Sequence, residues 1–224
     1  MTKLRWGADA PNDTSAARER LIDAAEACFH RYGVMKTTVE DVAATAKVSR
    51  ATVYRYFDGR DAIILGVLLR EAGRFLGRLR DKLAAQPDLE TAVVTGVIFT
   101  VKAVRADENL ALLFAPEAAG VTGSVAGASA ALFDVTAEFL KPLFQAAQES
   151  GQLRPGVDLD DAAEWTLRTI LSLLTVTGPR QRSAAEQYRY LQTFLVPALV
   201  ANPSPPDPAR SSRQRKRASN SNSS

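Results

Sequence analysis

Between Arg50 and Tyr56 the 224-residue chain places two guanidiniums, two phenols, a threonine and an alanine within seven positions. This set suits reading a nucleic-acid duplex. The forks of Arg50 and Arg55 match guanine edges, the methyl groups of Ala51 and Thr52 match thymine, and the hydroxyls of Tyr54 and Tyr56 match phosphate oxygens. The competing reading is a solvated polar face on an ordinary helix hairpin. Catalytic chemistry has little to work with. His30 is the only histidine, Cys28 the only cysteine, and no glycine-rich phosphate loop occurs. A catalyst would need carboxylates or a serine with no base at any useful spacing. No catalytic residue, metal ligand or cofactor is therefore expected, and an all-helical enzyme is the weaker rival.

The elements that must position Arg50 to Tyr56 are two short helices joined by a tight turn. Thr38 can cap the first, with Asp41 closing a capping box, and Val39, Val42, Ala43 and Ala46 follow at i, i+3, i+4 and i+7. Ser49 can cap the second, where Val53 and Phe57 form the inward pair. The outward face is expected to carry Arg50, Thr52, Tyr54, Arg55 and Tyr56. An earlier helix from Ser15 repeats Leu21, Ala24, Ala25, Cys28, Phe29 and Tyr32 at helical spacing and stops at Gly33. Cys28 reads as a small buried hydrophobe and His30 as an exposed surface residue. Together these are three helices with a helix-turn-helix at their end.

Charge restricts how such a reader works. The formal net charge is +3, but from Asn202 onward five basic residues, Arg210, Arg213, Arg215, Lys216 and Arg217, face only Asp207. The tail thus carries +4 and the remainder −1, which excludes a broadly basic coating or architectural binder and favours a local reading patch. A composition of 46% hydrophobic and 24% charged residues is ordinary for a globular protein. No run is long and apolar enough for a membrane span or a signal segment, and one cysteine fits a reducing compartment, so a cytoplasmic protein is expected. Residues 1–14 read as a flexible arm, and 203–224 as a disordered basic tail.

The run Thr38, Val48-Ser49, Val53-Tyr54-Arg55-Tyr56-Phe57 and then Arg60, preceded by a helix ending Tyr32-Gly33, resembles the tetracycline-repressor (TetR) family. The resemblance is specific over roughly residues 15–65. Lys47 stands where that family often has glycine in the turn, and Arg60 where lysine is usual. A β-carbon in the left-handed region costs on the order of 1 kcal/mol, and an arginine holds phosphate by a fork rather than a point charge. The resemblance implies a DNA-binding domain over 15–59, with Thr38, Ser49, Arg50, Ala51, Thr52, Tyr54, Arg55, Tyr56 and Arg60 at the duplex. A ligand-binding and dimerisation domain over 60–202 follows from it.

The second half reads as helices throughout. A long one from about Arg60 to Ala84 carries Ile64, Val67, Leu68, Phe75, Leu79 and Leu83, and the next, from Leu89 to about Arg105, is nearly uncharged and buried on most sides. A short piece lies near Asn109 to Phe114, and Gly120 to Gly127 reads as a flexible connection. A long helix spans about Ala128 to Glu149, with Pro142 expected to kink it, and Gly151 stops it. Another follows a cap at Asp158 or Asp160, and a last one runs from the capping box Ser183 and Glu186 to about Val200. The expected fold is all-α, with about nine helices, three in the reader and six beyond.

The family places a ligand pocket among the helices from 89 to 177, where Phe99, Phe114, Phe133, Phe139, Trp165 and Thr169 are the expected lining. The few polar groups there favour a small, mostly apolar effector, and a solid aromatic core is the alternative. The family also pairs its last two helices across a homodimer, here through Leu167, Leu171, Leu174, Tyr188, Leu191 and Leu195, unless those leucines are plain internal core. A dimer would match a palindromic double-stranded operator. The implied function is a ligand-responsive transcriptional repressor, with a constitutive DNA binder lacking an effector as the alternative.

Overall fold

The computed structural model describes residues 13–176, 178, 180 and 182–203, so the expectations for the basic tail and for nearly all of the arm lie outside the described residues. Eleven helices and no strand occur among them, with one antiparallel bridge between Leu153 and Val200. The architecture is all-α, as the sequence indicates.

The first three helices are α1 (Thr14–Tyr32), α2 (Val39–Ala46) and α3 (Arg50–Tyr56). Each begins with a capped N-terminus, which satisfies backbone N–H groups that have no partner inside the helix. Asp13 caps α1 by accepting from Ala16 N at 2.8 Å. Gly33, at φ +80°, ends α1 and returns its N–H to the Phe29 carbonyl. The apolar stripe of α1 is buried through Leu21, Ala24, Ala25, Cys28 and Phe29, but Tyr32, expected on that stripe, is exposed.

Two further helices, α4 (Arg60–Ala84) and α5 (Leu89–Ala106), are followed by α6 (Glu108–Leu113) and α7 (Ala119–Gly127). Residues 120–127, expected as a flexible connection, are therefore helical. Their glycines weaken the helix, but burial of Ala119, Thr122 and Ala126 along one face overrides local propensity. The buried Thr122 hydroxyl also donates to the Leu113 carbonyl at 2.6 Å, which fixes α7 to the end of α6. The remaining helices are α8 (Ala130–Glu149), which continues through Pro142, α9 (Leu159–Thr175), α10 (Ala184–Phe194) and α11 (Val196–Leu199). Asp158, not Asp160, caps α9. The last expected helix is divided in two because Pro197 cannot donate to the ladder of a continuous helix. These two features raise the helix count.

The chain packs as two compact units. Among the described residues, one takes those from Asp13 to Leu76 together with Ala103–Leu132, and the other takes Gly77–Lys102 together with those from Phe133 to Pro203. The division falls inside α4 rather than at residues 59–60 because the first turns of α4 are core to the reader. A β-carbon added at Gly66 would lie 2.8 Å from Phe57 Cε1 and 3.4 Å from Ile22 Cδ1, so only glycine lets these helices approach so closely. In the second unit, Val93, Val94 and Val97 of α5, Leu140 and Phe144 of α8, Ala162 and Ala163 of α9 and Leu191, Leu195 and Val196 share one core. The chain after α11 is clipped to the loop after α8, with Arg154 N donating to Leu199 O and Ala201 N to Gln152 O.

Candidate nucleic-acid interface

The hairpin α2–α3 forms as its caps and stripe dictate. Thr38 Oγ1 accepts from Asp41 N while the Asp41 carboxylate accepts from Thr38 N at 2.9 Å, completing the capping box. The Thr38 hydroxyl, which also donates to that carboxylate at 2.7 Å, and then the Thr38 backbone N–H hold the Asp41 carboxyl below its ordinary pKa. Lys47 adopts the left-handed conformation (φ 57°, ψ 45°) that the turn requires, and Val48 N then reaches the Ala43 carbonyl at 2.9 Å. Ser49 Oγ accepts from Thr52 N at 3.1 Å and opens α3. Val39, Val42, Ala43, Ala46, Val53 and Phe57 are all buried.

On α3, Arg50, Ala51, Tyr54 and Arg55 are exposed and Tyr56 is half-buried. The 100° step of an α-helix groups positions 50, 51, 54 and 55 on one side. Thr52 falls on the other and corrects the expectation of an outward threonine. It is buried, and its Oγ1 lies 2.9 Å from Ser49 Oγ, so it fastens the cap rather than facing a base. Ser49 and Thr38 are exposed at the N-termini of their helices.

Arg50 is positioned before any duplex arrives. Its Nη1 lies 2.7 Å from Glu40 Oε1 of α2, and its guanidinium sits 5.8 Å from the Tyr54 ring centroid. Tyr54 first and Glu40 second raise its pKa further, so the cation is permanent. Three other arginines brace the reader. Arg18 of α1 donates to the Tyr56 carbonyl and covers the Phe57 ring at 4.3 Å, and Arg20 donates to the Ala46 carbonyl at 3.3 Å. Each supplies a cation to the C-terminal end of a hairpin helix, where carbonyls lack partners. Arg60 Nη2 donates to the Val34 carbonyl at 2.8 Å, so the expected phosphate ligand is also a clamp on the loop before α2.

Sequence reasoning missed Arg18, Arg20 and Glu40. The signal for the two arginines was the orphan carbonyls at the ends of α2 and α3, which demand donors from somewhere. His30 is exposed as expected, but its Nε2 lies 2.8 Å from Asn109 Oδ1 of α6, a partner 79 positions away that no local pattern announces.

The expected effector lining is divided between the two compact units. Phe114 belongs to the first compact unit and the other five residues to the second. There, Phe99 lines a groove with Lys82, Lys102 and Tyr188. Trp165 and Thr169 line another with Tyr190 and Phe194, while Phe139 lies under the Arg80 guanidinium at 5.9 Å. Phe133 is half-buried. The expected dimer residues divide too. Leu191 and Leu195 are internal core and Tyr188 packs against it, whereas Leu167, Leu171 and Leu174 are half-buried. The exposed apolar surface of α9 and α10 is instead Trp165 and Phe194, with Val176 just beyond α9.

The reader is thus a capped and braced helix-turn-helix. Residues 21–67 match the family described as bacterial regulatory proteins, tetR family. An uncharacterized HTH-type transcriptional regulator of Mycobacterium tuberculosis (strain CDC 1551 / Oshkosh) is 29% identical over 187 residues, covering 84% of this chain and 87% of that protein. Among solved structures, SmeT, the repressor of the Stenotrophomonas maltophilia multidrug efflux pump SmeDEF, is 27% identical. It covers 87% of this chain and 96% of its own, with a TM-score of 0.51. RolR in complex with resorcinol shares the fold at a TM-score of 0.62 and 16% identity, covering 84% of this chain and 90% of that one. Residues 21–67 thus match the tetR family, and the chain is a helix-turn-helix transcriptional regulator. No helix among the described residues is long and apolar enough to cross a membrane.

Proposed function

We propose that the protein is a ligand-responsive repressor that acts in the cytoplasm by binding rather than by catalysis, and that it occupies a palindromic duplex operator as a homodimer. The observation that carries this reading is the outward side of α3, where Arg50 and Arg55 are exposed beside Tyr54 on a helix capped by Ser49 and tied down by Arg18. Two guanidiniums on a braced helix suit base readout in the major groove. Thr38, Ser49, Tyr54, Tyr56 and Arg60 stand around them as backbone contacts. The likeness to SmeT, an efflux-pump repressor, supports repression as the sense of regulation.

Dimerisation is supported by Trp165, Val176 and Phe194, large apolar side chains left open to water on or just beyond α9 and α10. A second copy doubles the number of bases read. Effector binding in the second unit would then release the operator to the extent that the effector prefers the unfit state.

Selection of bound sequences from a random duplex pool, followed by titration of variants on cognate and scrambled duplexes, tests the reader. Arg50→Ala and Arg55→Ala should each lose about tenfold or more in discrimination. Tyr54→Phe, Tyr56→Phe and Arg60→Ala should weaken all duplexes alike. Equal loss on cognate and scrambled DNA for the two arginine variants refutes the base-reading assignment. A monomeric mass by light scattering at micromolar concentration refutes the dimer.

A further inference from the structure

In the second unit, α4, α5 and α10 border a groove of about 530 Å³ whose wall includes Lys82, Ile98, Phe99, Lys102, Ala185 and Tyr188. Its floor is apolar, because Ile98 and Phe99 turn toward α10 where Ala184 and Ala185 leave no bulk to cover them. The size lies within the range of small-molecule sites.

The two lysines set the groove apart from an ordinary surface hollow. Both are exposed, and among the described residues neither forms an ion pair. Most other cations near structured elements here are engaged. Arg70, Arg74 and Arg168 hold carboxylates, and Arg18, Arg20 and Arg60 hold carbonyls. Both cations therefore border the apolar floor with no carboxylate of the described residues bound to either.

We propose that this groove binds a free amphipathic anion, a monocarboxylate on an unbranched apolar body, with the carboxylate between Lys82 and Lys102 and the body along Ile98, Phe99 and Tyr188. The site differs from the aromatic pocket expected from the sequence, with which it shares only Phe99. It also changes the ligand class from mostly apolar to anionic. As an effector site the groove rests on the ligand-responsive reading above; as a binding site it stands alone.

The test is isothermal titration of the full chain with sodium decanoate below its micellar concentration, with decanol as the neutral counterpart. One decanoate per chain is expected, binding about tenfold tighter than decanol and weakening as salt is raised. Lys82→Gln and Lys102→Gln should each cost decanoate about fivefold or more and leave decanol unchanged, which also shows that the variants are folded. Ala185→Trp should block both ligands by filling the groove. Equal affinity for decanoate and decanol, or lysine variants that bind decanoate as the parent does, overturns the proposal.

Operator release is measured separately by fluorescence anisotropy of a labelled duplex. Decanoate that binds the groove without releasing the operator leaves the site standing and removes its role as effector site. Release by decanoate that persists in the double lysine variant overturns the site and leaves the ligand-responsive reading intact.

Discussion

Replacing Arg70 with methionine tests how the reader is held together. The Arg70 side chain, 7% exposed, lies on α4 against three carboxylates of α1: Glu26 Oε1 at 2.5 Å, Asp23 Oδ1 at 2.6 Å and Glu19 Oε2 at 3.2 Å. Burial alone would lower its pKa, but the hydrogen bonds to Glu26, Asp23 and Glu19 outweigh it and raise the pKa. A raised basic pKa means that Arg70 itself keeps its charge until strong alkali. The three pairs are unequal. Asp23 and Glu19 are 69% and 54% exposed, so both regain water when the arginine is gone, and each pair is worth at most about 1 kcal/mol. Glu26 is 16% exposed and would be left sheltered without its cation. Breaking a fully buried pair costs about 3–5 kcal/mol, and the water still reaching Glu26 brings its share to about 2 kcal/mol. Arg70→Met should therefore lose about 3 kcal/mol, equivalent to about 6–12 °C in the thermal midpoint of a chain of this size.

The cycle with Glu26→Gln separates the charge from the packing. With Glu26 already neutralised, Arg70→Met should cost about 1 kcal/mol, because only the exposed pairs remain. Scanning calorimetry of the four proteins at pH 7 measures it. If Arg70→Met costs as much in the Glu26→Gln background as in the parent, the sheltered carboxylate is not what Arg70 serves, and the clamp is packing alone.

The same unit supplies further expectations. Gly66→Ala should destabilise by about 1 kcal/mol, since strain against buried Phe57 outweighs the gain in helix propensity, whereas Gly73→Ala on the same helix meets nothing within 4 Å and should gain about 0.5–1 kcal/mol; paired thermal melts decide it. Burial first, then the Glu26 and Asp107 charges, hold the Glu71 carboxyl above its ordinary pKa despite Arg74, so its ionised form weakens the fold and stability is regained as pH falls through the raised value. Glu71→Gln should melt higher than the parent at pH 7, with the gap narrowing toward pH 4. Asp41 titrates the other way: its depressed pKa gives stability that is present above about pH 4 and lost as pH falls through the folded value, so Asp41→Asn should flatten that acid limb in circular-dichroism melts.

The reader was legible because its physics is local. Thr38 and Asp41, or Ser49 and the amide of Thr52, are three residues apart, so sequence spacing alone decides whether they meet. Thr52 shows the limit even there. A hydroxyl on a seven-residue helix can serve a base or its own cap, and the rotation of the helix against its neighbours chose the cap. α7 was hidden for the converse reason: its glycines announce a loop, and only burial of Ala119, Thr122 and Ala126 makes it a helix. Residues supplied from far along the chain, such as Asn109 for His30 or Arg18 for the end of α3, have no spacing to read.

The second unit was the least legible because an apolar stripe names no partner. Leu191 and Leu195 have the spacing of an interface yet lie in the core, while Trp165 and Phe194 on the same helix pair remain open. What separates them is the direction in which α9 and α10 face the core of α5 and α8. Long-range packing sets that direction, and a heptad-like pattern leaves it free. The same rotation exposes the α10 side bearing Ala184, Ala185 and Tyr188 next to Lys82 and Lys102, where two small residues leave a groove open over Ile98 and Phe99. Alanines carry almost no signal as a pocket in sequence, because a concave site is defined by the side chains that are missing. The lysines carry little more, since a solvated lysine and an anion-binding lysine are written with the same letter. Only their shared position without a carboxylate distinguishes them, and that is a property of the fold.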